Sequence, residues 1–227
     1  MAGGSGRRYP RTRSRIGPCP SFKGYTALAV AVLNGHTACA EHLLKCGDSY
    51  GLPLWIAAAQ NDTDMVRLLL SAKADVDVDR RDVWPHSPRR LRGCSLIDCV
   101  AADDQLPMME VLLAAKASAR RALRYAAEGQ PTAVRLLLDH GASADSCDDD
   151  DYDPIHIAAS CGCTYTIGIL IAAKADIDAH DSSGADACWT AVSVGHPDAA
   201  RLLRDHGAVA HAPYWYQWAE PDWADHC

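Results

Sequence analysis

The sequence predicts an all-α solenoid in which short helices stack in pairs along one axis. A mostly apolar doublet recurs six times, followed after two positions by a second doublet, and this spacing gives a short helix one apolar side. An Ala-rich stretch precedes each doublet pair, so the copies line up as one repeated helix–turn–helix unit. The 227 residues include a single Phe, which suits thin, closely packed helices.

The doublets are predicted to hold neighbouring repeats together. Between the second residues of successive first doublets, the intervals are 26, 43, 25, 33 and 33 residues. The core is therefore periodic, whereas the connections are not. The six pairs are Cys39-Ala40 with Leu43-Leu44, Met65-Val66 with Leu69-Leu70, Met108-Met109 with Leu112-Leu113, Ala133-Val134 with Leu137-Leu138, Thr166-Ile167 with Leu170-Ile171, and Ala199-Ala200 with Leu203-Arg204.

The first half of each unit is predicted to be a short helix that ends at a Gly or Asn. Thr26, Ser95 and Asp186 are placed to cap three of these helices. In the fifth copy Asp153 precedes Pro154, which suits an N-cap carboxylate followed by a residue without an amide hydrogen. The six units span residues 24–48, 51–77, 94–118, 120–143, 152–178 and 184–208.

These units resemble the ankyrin repeat, whose pattern is Thr-Pro-Leu-His-x-Ala-Ala, then Gly-His, then a Leu-Leu helix closing in Gly-Ala-Asp. The fifth copy matches best, with residues 153–159, Gly162 and residues 175–178. Gly35-His36 and Gly195-His196 repeat the turn signal. The resemblance covers residues 22–210 and implies short β-hairpin loops between the helix pairs.

The junctions between repeats differ in length. From the closing residue of one unit to the core residue of the next, a full-length junction takes 14 positions, as from Gly141 to Ile155 and from Lys174 to Cys188. The intervals from Gly47 to Leu54 and from Lys116 to Ala122 are 7 and 6, which predicts tight turns without a hairpin. The interval from Lys73 to Ile97 is 24, an insertion of ten residues. In the fourth copy Tyr125 falls where an Ala is expected.

Three segments follow from charge and composition. Residues 1–21 form a basic leader rich in Gly, Arg and Pro, residues 22–210 form the array, and residues 211–227 form an acidic, aromatic tail. Residues 1–24 hold six basic residues and no acid, which leaves a net charge of −13 on the rest. Residues 16–23 are expected to cover the apolar first helix, unless the array continues beyond it. The tail is expected to pack on the last repeat, or else to dock elsewhere as an acidic-aromatic peptide.

The sequence shows no pattern of a catalytic, cofactor or metal site. It lacks a Gly-rich phosphate loop, a nucleophile elbow and paired Cys/His ligands. We therefore predict a chain that is not an enzyme and binds no cofactor or metal. Its ten cysteines are expected to be reduced, because no secretory signal is present. His36 and His196 are expected to be hydrogen-bonding turn residues, and His140 and His206 to lie beside helix carbonyl ends.

The resemblance implies protein–protein binding through hairpin tips and the concave face of the first helices. A Tyr beside three carboxylates favours a basic partner segment, and a Trp among five arginines suits an acidic peptide or phosphate. The candidate binding residues are Asn34, Gln60, Asp103, Asp149, Asp150, Asp151, Tyr152, Ser160, Ser182, Ser183, Arg80, Arg81 and Trp84.

Other roles remain open at this stage. The main alternative is a nucleic-acid-associated factor that uses the Arg-rich leader and residues 80–92, although the acidic body disfavours it. A third is a targeting role for the leader. No apolar run is long enough for a membrane span. We expect a monomeric, soluble protein of the cytoplasm, with the nucleus as the alternative.

Overall fold

The computed structural model describes residues 25–46, 51–78, 94–146 and 153–213. The predictions for the leader, for the insertion and for most of the tail lie outside these residues. Twelve helices occur in the described part of the chain, two in each of the six repeats. They are α1 (Ala27–Leu33), α2 (Thr37–Leu44), α3 (Gly51–Ala59), α4 (Thr63–Ser71), α5 (Leu96–Ala102), α6 (Leu106–Ala114), α7 (Ala122–Ala127), α8 (Pro131–Asp139), α9 (Pro154–Ser160), α10 (Thr164–Ala172), α11 (Ala187–Val194) and α12 (Pro197–Asp205).

The helices stack in two rows, which confirms the predicted solenoid. The second helices form a continuous row, in which α2, α4, α6, α8, α10 and α12 each pack on the next. In the row of first helices, α1 packs on α3, and α5, α7, α9 and α11 follow one another. Each first helix also packs on the second helix of its own repeat.

The core is built from the Ala-rich faces of the first helices and from the doublets. In the second to sixth repeats both residues of the first doublet are buried, including the polar Thr166. The first repeat differs, because Ala40 is buried but Cys39 is exposed. The prediction that Cys39 occupies a core position is therefore wrong. In the described chain no preceding repeat packs against α2, so this position lacks the neighbour that covers it elsewhere.

Two of the four predicted helix caps make a side-chain capping hydrogen bond. The Thr26 hydroxyl accepts a hydrogen bond from the Ala29 amide at 3.2 Å, and the Asp186 carboxylate accepts one from the Trp189 amide at 2.6 Å. Asp153 is the N-cap of α9, followed by Pro154 at the first helical position, but its carboxylate makes no capping hydrogen bond. Its backbone carbonyl accepts the His156 amide instead.

The four His residues predicted at turns and helix ends differ in their hydrogen bonds. The Nδ1 atoms of His140 and His206 lie 2.9 Å from the carbonyl oxygens of Leu136 and Leu202, as the sequence predicts for the ends of second helices. His196 is hydrogen-bonded in its turn, which is also confirmed. His36, at the same position of the first repeat, is exposed and makes no capping hydrogen bond.

The junctions follow the predicted difference in length. Residues 115–121 form a tight turn between α6 and α7, as expected for a lost hairpin. The longer junction before α11 carries one antiparallel bridge, between His180 and Asp186, and the described residues contain no longer strand. The alignment of the fourth copy was off by one residue. Since α7 begins at Ala122 and buries Ala126 and Ala127, Tyr125 occupies the position directly before the two Ala residues of the pattern, where Ile157 stands in the fifth copy.

The last repeat presents a polar outer side, as predicted, because Arg201, Arg204 and Asp205 are exposed on α12. The chain then turns back onto this repeat. The His211 amide donates to the buried Asp186 carboxylate at 2.6 Å, and its ring nitrogen Nδ1 lies 2.9 Å from the same oxygen. The described start of the tail therefore packs on the array.

Candidate functional site

The candidate site is the line of residues at the C-terminal ends of the first helices, which we call the end row. It contains the residues at which the first helices stop and the turns begin, so each repeat contributes a short polar or small segment. The end row consists of Leu33, Asn34, Ala59, Gln60, Ala102, Asp103, Glu128, Ser160, Cys161, Ser193 and Val194.

Side-chain hydrogen bonds tie the end row together from one repeat to the next. A side chain near the turn of one repeat donates to a carbonyl oxygen at the end of the preceding first helix. The donors are Gln60 to Leu33 at 2.8 Å, Gln130 to Ala102 at 3.4 Å, Cys163 to Glu128 at 3.7 Å and His196 to Ser160 at 3.1 Å, the imidazole acting as donor in the last pair. These bonds satisfy carbonyls that a helix end leaves unpaired, and they hold the row in register.

This arrangement divides the predicted binding residues of the end row into two groups. Gln60 and Ser160 are half-buried, and both take part in the inter-repeat hydrogen bonds. Asn34 is exposed, although its amide also donates to the Val30 carbonyl at 2.8 Å. Asp103 is half-buried at the end of α5. Of these four predicted residues, Asn34 is exposed to a partner, whereas Gln60, Asp103 and Ser160 are only partly accessible.

The exposed surface of the end row changes character along the array. In the fifth and sixth repeats it is neutral, with Cys161, Ser193 and Val194 exposed, the last by 55%. In the third and fourth repeats it is acidic, since Glu128 is exposed and Asp103 is half-buried. The end row thus offers a partner an acidic middle and an uncharged end.

The second predicted surface is the hairpin tip before α11. Ser182 is exposed there, whereas Ser183 is half-buried and donates from both its amide and its hydroxyl to the Asp181 carboxylate, at 2.9 and 2.7 Å. The same oxygen accepts the Ala185 amide at 3.0 Å. These bonds fix the shape of the tip, so Ser182 is presented on a rigid turn. The predicted binding residues Asp149, Asp150, Asp151, Tyr152, Arg80, Arg81 and Trp84 lie outside the described residues.

One position of the first helices carries functional groups that the sequence analysis did not assign. It is the position of the His in the ankyrin pattern, and the residue there is buried in every repeat except the fourth. The Trp55 indole donates to the Val78 carbonyl at 3.3 Å, and the His156 Nε2 lies 3.3 Å from the Ala185 carbonyl. Aligning the six copies on this position would have found Asp98, the one carboxylate among them.

Asp98 lies at the centre of a polar cluster between the third and fourth repeats. It is 1% exposed, accepts the Ser95 amide at 2.8 Å and lies 3.5 Å from the Arg121 guanidinium. Burial raises the pKa of Asp98 from 3.8 to about 6, although its hydrogen bonds and Arg121 act in the opposite direction. The Cys94 thiol and the Tyr125 hydroxyl meet beside it at 3.1 Å.

The described side chains bear on three features: metal sites, disulfides and membrane spans. Within the described ranges no group of three or more His, Cys, Asp and Glu side chains is arranged to hold a metal ion. None of the seven cysteines in those ranges forms a disulfide. Among the described helices, none has the length and apolar character needed to cross a membrane.

The two stacked rows of short helices, joined by turns and one bridged hairpin, define a helical-repeat solenoid with a row of helix ends as its candidate binding surface. A family model for ankyrin repeats, in three copies, matches residues 12–82 and 123–213. The chain therefore belongs to the ankyrin-repeat family.

Curated relatives share the array but are much longer. The chain is 32% identical over 171 residues to the nuclear factor NF-kappa-B p105 subunit of chicken, covering 66% of this chain and 16% of that protein. It is 30% identical over 169 residues to the glycerophosphocholine phosphodiesterase gde1 of fission yeast, covering 71% and 14%. It is 31% identical over 88 residues to the serine/threonine-protein kinase 12 of Arabidopsis thaliana, covering 39% and 19%.

Proposed function

We propose that this chain is a non-catalytic interaction module that binds another protein along its end row and at the hairpin tip before α11. Ankyrin repeats are in general protein–protein interaction modules, and this chain belongs to that family. The observation that supports the placement is the set of hydrogen bonds between successive repeats. Because the end row is rigid before binding, its exposed side chains lose little entropy when a partner docks.

The relatives do not favour a catalytic role for this chain. Two of them carry the names of enzymes, but the chain covers only 14% and 19% of those proteins. The described residues show buried carboxylate, thiol and imidazole groups that form structural contacts between repeats. We infer that the module positions a partner and does not convert a substrate.

The chemistry of the end row suggests which kind of partner segment fits. An acidic middle favours a basic stretch, and the uncharged end at Cys161 and Val194 favours apolar side chains. The acidic tip at Asp149, Asp150, Asp151 and Tyr152 is a further proposed contact for the same basic stretch. The soluble, monomeric state and the cytoplasmic or nuclear location are also proposals.

Affinity capture with the full chain, followed by measurement of the affinity for the captured protein, tests this placement. Cys161→Arg with Val194→Arg introduces two charges into the uncharged end of the end row, and we expect binding to weaken by at least about tenfold. The matched control is Ala114→Arg with Ala172→Arg, which introduces the same charges at exposed ends of second helices. Equal loss in both variants, or loss in neither, would rule out the end row as the binding surface.

The nucleic-acid alternative has a separate readout. Its basic segments are the leader and residues 80–92, so it predicts binding to nucleic acid at low salt that disappears when residues 1–21 are removed. The protein-binding proposal predicts that removal of the leader leaves the affinity for the captured protein unchanged. Filter binding and affinity capture with both chains distinguish the two.

A further inference from the structure

The first helix of the third repeat begins with two capping devices that interlock. Ser95 is the N-cap of α5, and the carboxylate of Asp98 at the third helical position accepts the Ser95 amide at 2.8 Å. Cys94 and Cys99 occupy the positions before the cap and at the fourth helical residue, where apolar side chains ordinarily pack on each other as a hydrophobic staple. Here the staple consists of two thiols, each 2% exposed.

These two sulfur atoms have partners on both sides of the repeat junction. The side chain of Cys99 is the largest of the influences that lower the pKa of the Cys94 thiol. The Cys94 sulfur also lies 3.1 Å from the hydroxyl oxygen of Tyr125, which belongs to the fourth repeat. Arg121, which faces Asp98 across the same junction, adds a positive charge nearby. Cys94 and Asp98 are therefore two points at which the start of α5 contacts the next repeat.

This environment favours the thiolate of Cys94. Hydrogen bonds from Cys99 and Tyr125, together with the charge of Arg121, lower the pKa of Cys94 from 9.0 to about 6, against the opposing effects of burial and of Asp98. Burial and the neighbouring Cys94 raise the pKa of Tyr125, so its hydroxyl keeps its proton and donates it to the sulfur.

We propose that Cys94 and Cys99 form a redox-sensitive dithiol that hydrogen peroxide converts into a disulfide across the start of α5. The Cys94 thiolate attacks one peroxide oxygen, the O–O bond breaks, and the other oxygen leaves as hydroxide and is protonated to water. The Cys99 sulfur then attacks the resulting sulfenic acid, an S–S bond forms, and a second water is released. Two thiols lose two electrons and two protons, and one peroxide is reduced to two waters.

The disulfide changes the contact between the third and fourth repeats. A sulfur atom bonded to Cys99 carries no negative charge, so the hydroxyl of Tyr125 loses its charged acceptor. Oxidation thus removes the charged hydrogen bond between Tyr125 and Cys94 and forms a covalent bond between Cys94 and Cys99 at the start of α5. Cys94 directly follows residues 79–93, so the modification lies where the long insertion returns to the array.

A second pair of cysteines serves as an internal control. Cys161 is exposed and Cys163 is half-buried, with one residue between them, so they are at least as accessible as Cys94 and Cys99. Burial and the neighbouring Cys161 raise the pKa of Cys163, which leaves it as the thiol. The proposal therefore predicts that the buried pair is oxidised first, although exposure alone predicts the reverse order.

The test is mass spectrometry of the full reduced chain, treated with equimolar hydrogen peroxide, alkylated and digested with trypsin. Residues 93–116 form one tryptic peptide that contains Cys94, Cys99 and no other cysteine. We expect this peptide to become two hydrogens lighter and to lose both alkyl groups before Cys161 and Cys163 react. Prior oxidation of the control pair, or alkylation of both Cys94 and Cys99 throughout, overturns the proposal.

Two variants separate the proposed chemistry from general exposure of thiols. Cys99→Ala is expected to stop oxidation at a Cys94 sulfenic acid that a dimedone probe labels, whereas Cys163→Ala leaves the disulfide unchanged. In Tyr125→Phe the rate of disulfide formation at pH 6.5 is expected to fall roughly threefold or more, and its pH midpoint to rise. An unchanged rate and midpoint in Tyr125→Phe, with circular dichroism like that of the parent chain, contradicts the assigned role of Tyr125.

Discussion

The junction between the fifth and sixth repeats and the junction between the third and fourth repeats solve the same packing problem with different chemistry. In the first, His156 is fully buried and its ring nitrogen contacts the Ala185 backbone on a full-length hairpin. In the second, the hairpin is missing, and Asp98 at the same repeat position pairs with the Arg121 side chain. When the connecting backbone is shortened, a charged side chain replaces a backbone partner.

The largest loss of stability is expected when the Asp of the third–fourth junction is placed at the equivalent position of the fifth–sixth junction. His156→Asp puts a carboxylate at a fully buried site that faces Asp181 and Asp186 and has no arginine in the place of Arg121. We expect the free energy of unfolding at pH 7 to fall by about 3–5 kcal/mol, because a buried charge without a partner carries that order of cost. Urea denaturation measures it, with His156→Asn as the uncharged control.

A loss of less than about 1 kcal/mol in His156→Asp would show that this junction does not depend on a neutral buried group.

We also expect the stability of the same junction to depend on pH. Burial lowers the pKa of His156, so its contribution to stability is present above its unfolded-state pKa and is lost as pH falls through the folded-state pKa.

The Asp98 junction has the opposite pH dependence. The pKa of Asp98 is raised from 3.8 to about 6 by burial, so folding favours the neutral carboxyl. The stability that it contributes is highest below pH 3.8 and falls as pH rises through 6, by up to about 3 kcal/mol. We expect Asp98→Asn to be more stable than the parent chain at pH 7, with a difference that shrinks towards pH 4. Urea denaturation at both pH values measures it.

A constant difference in stability between Asp98→Asn and the parent chain from pH 4 to pH 7 would contradict the raised pKa of Asp98.

The Cys94 thiol affects stability over a higher pH range than Asp98 does. Because the folded state lowers its pKa from 9.0 to about 6, its contribution is present above pH 9 and is lost as pH falls towards 6. Cys94→Ser is therefore compared with the parent chain at pH 7.5 and 9, where Asp98 stays ionised, and its destabilising effect is expected to be smaller at pH 7.5.

Two turn glycines offer a comparison of intermediate size, one at the junction of the fifth and sixth repeats and one at the end of the fourth repeat. Gly162 has a φ of 68°, and a Cβ atom there would lie 2.6 Å from the His196 ring. Gly162→Ala is expected to cost about 2 kcal/mol, through backbone strain and displacement of the ring from the Ser160 carbonyl. Gly141 also has a positive φ, but a Cβ atom there would meet open space. Gly141→Ala therefore measures the backbone strain alone. Equal costs for the two variants, measured by thermal denaturation, would exclude the contact with His196.

The repeated core could be predicted from the sequence, because helical spacing depends on neighbouring residues alone. The stacked helix pairs, the capping roles of Thr26 and Asp186, and the hydrogen bond of His196 were all predicted. The polar cluster around Asp98 was not, since Cys94, Asp98 and Tyr125 meet only when two repeats stack. The position of Tyr125 was also misassigned, because one residue of error in a shortened junction changes the face of every following side chain.

The smallest expected effect concerns the Arg121–Asp98 pair itself. Arg121 is 46% exposed, so solvent screens its attraction to Asp98, and Arg121→Ala is expected to cost about 1 kcal/mol or less at pH 7.5. At pH 4 the Asp98 carboxyl is neutral and the cost should vanish, whereas the neighbouring Arg120→Ala should show no such dependence. A double-mutant cycle isolates the pair, because Arg121→Ala should have no effect in an Asp98→Asn background. If that effect persists, Arg121 stabilises the shortened junction by packing, and charge does not replace the missing hairpin.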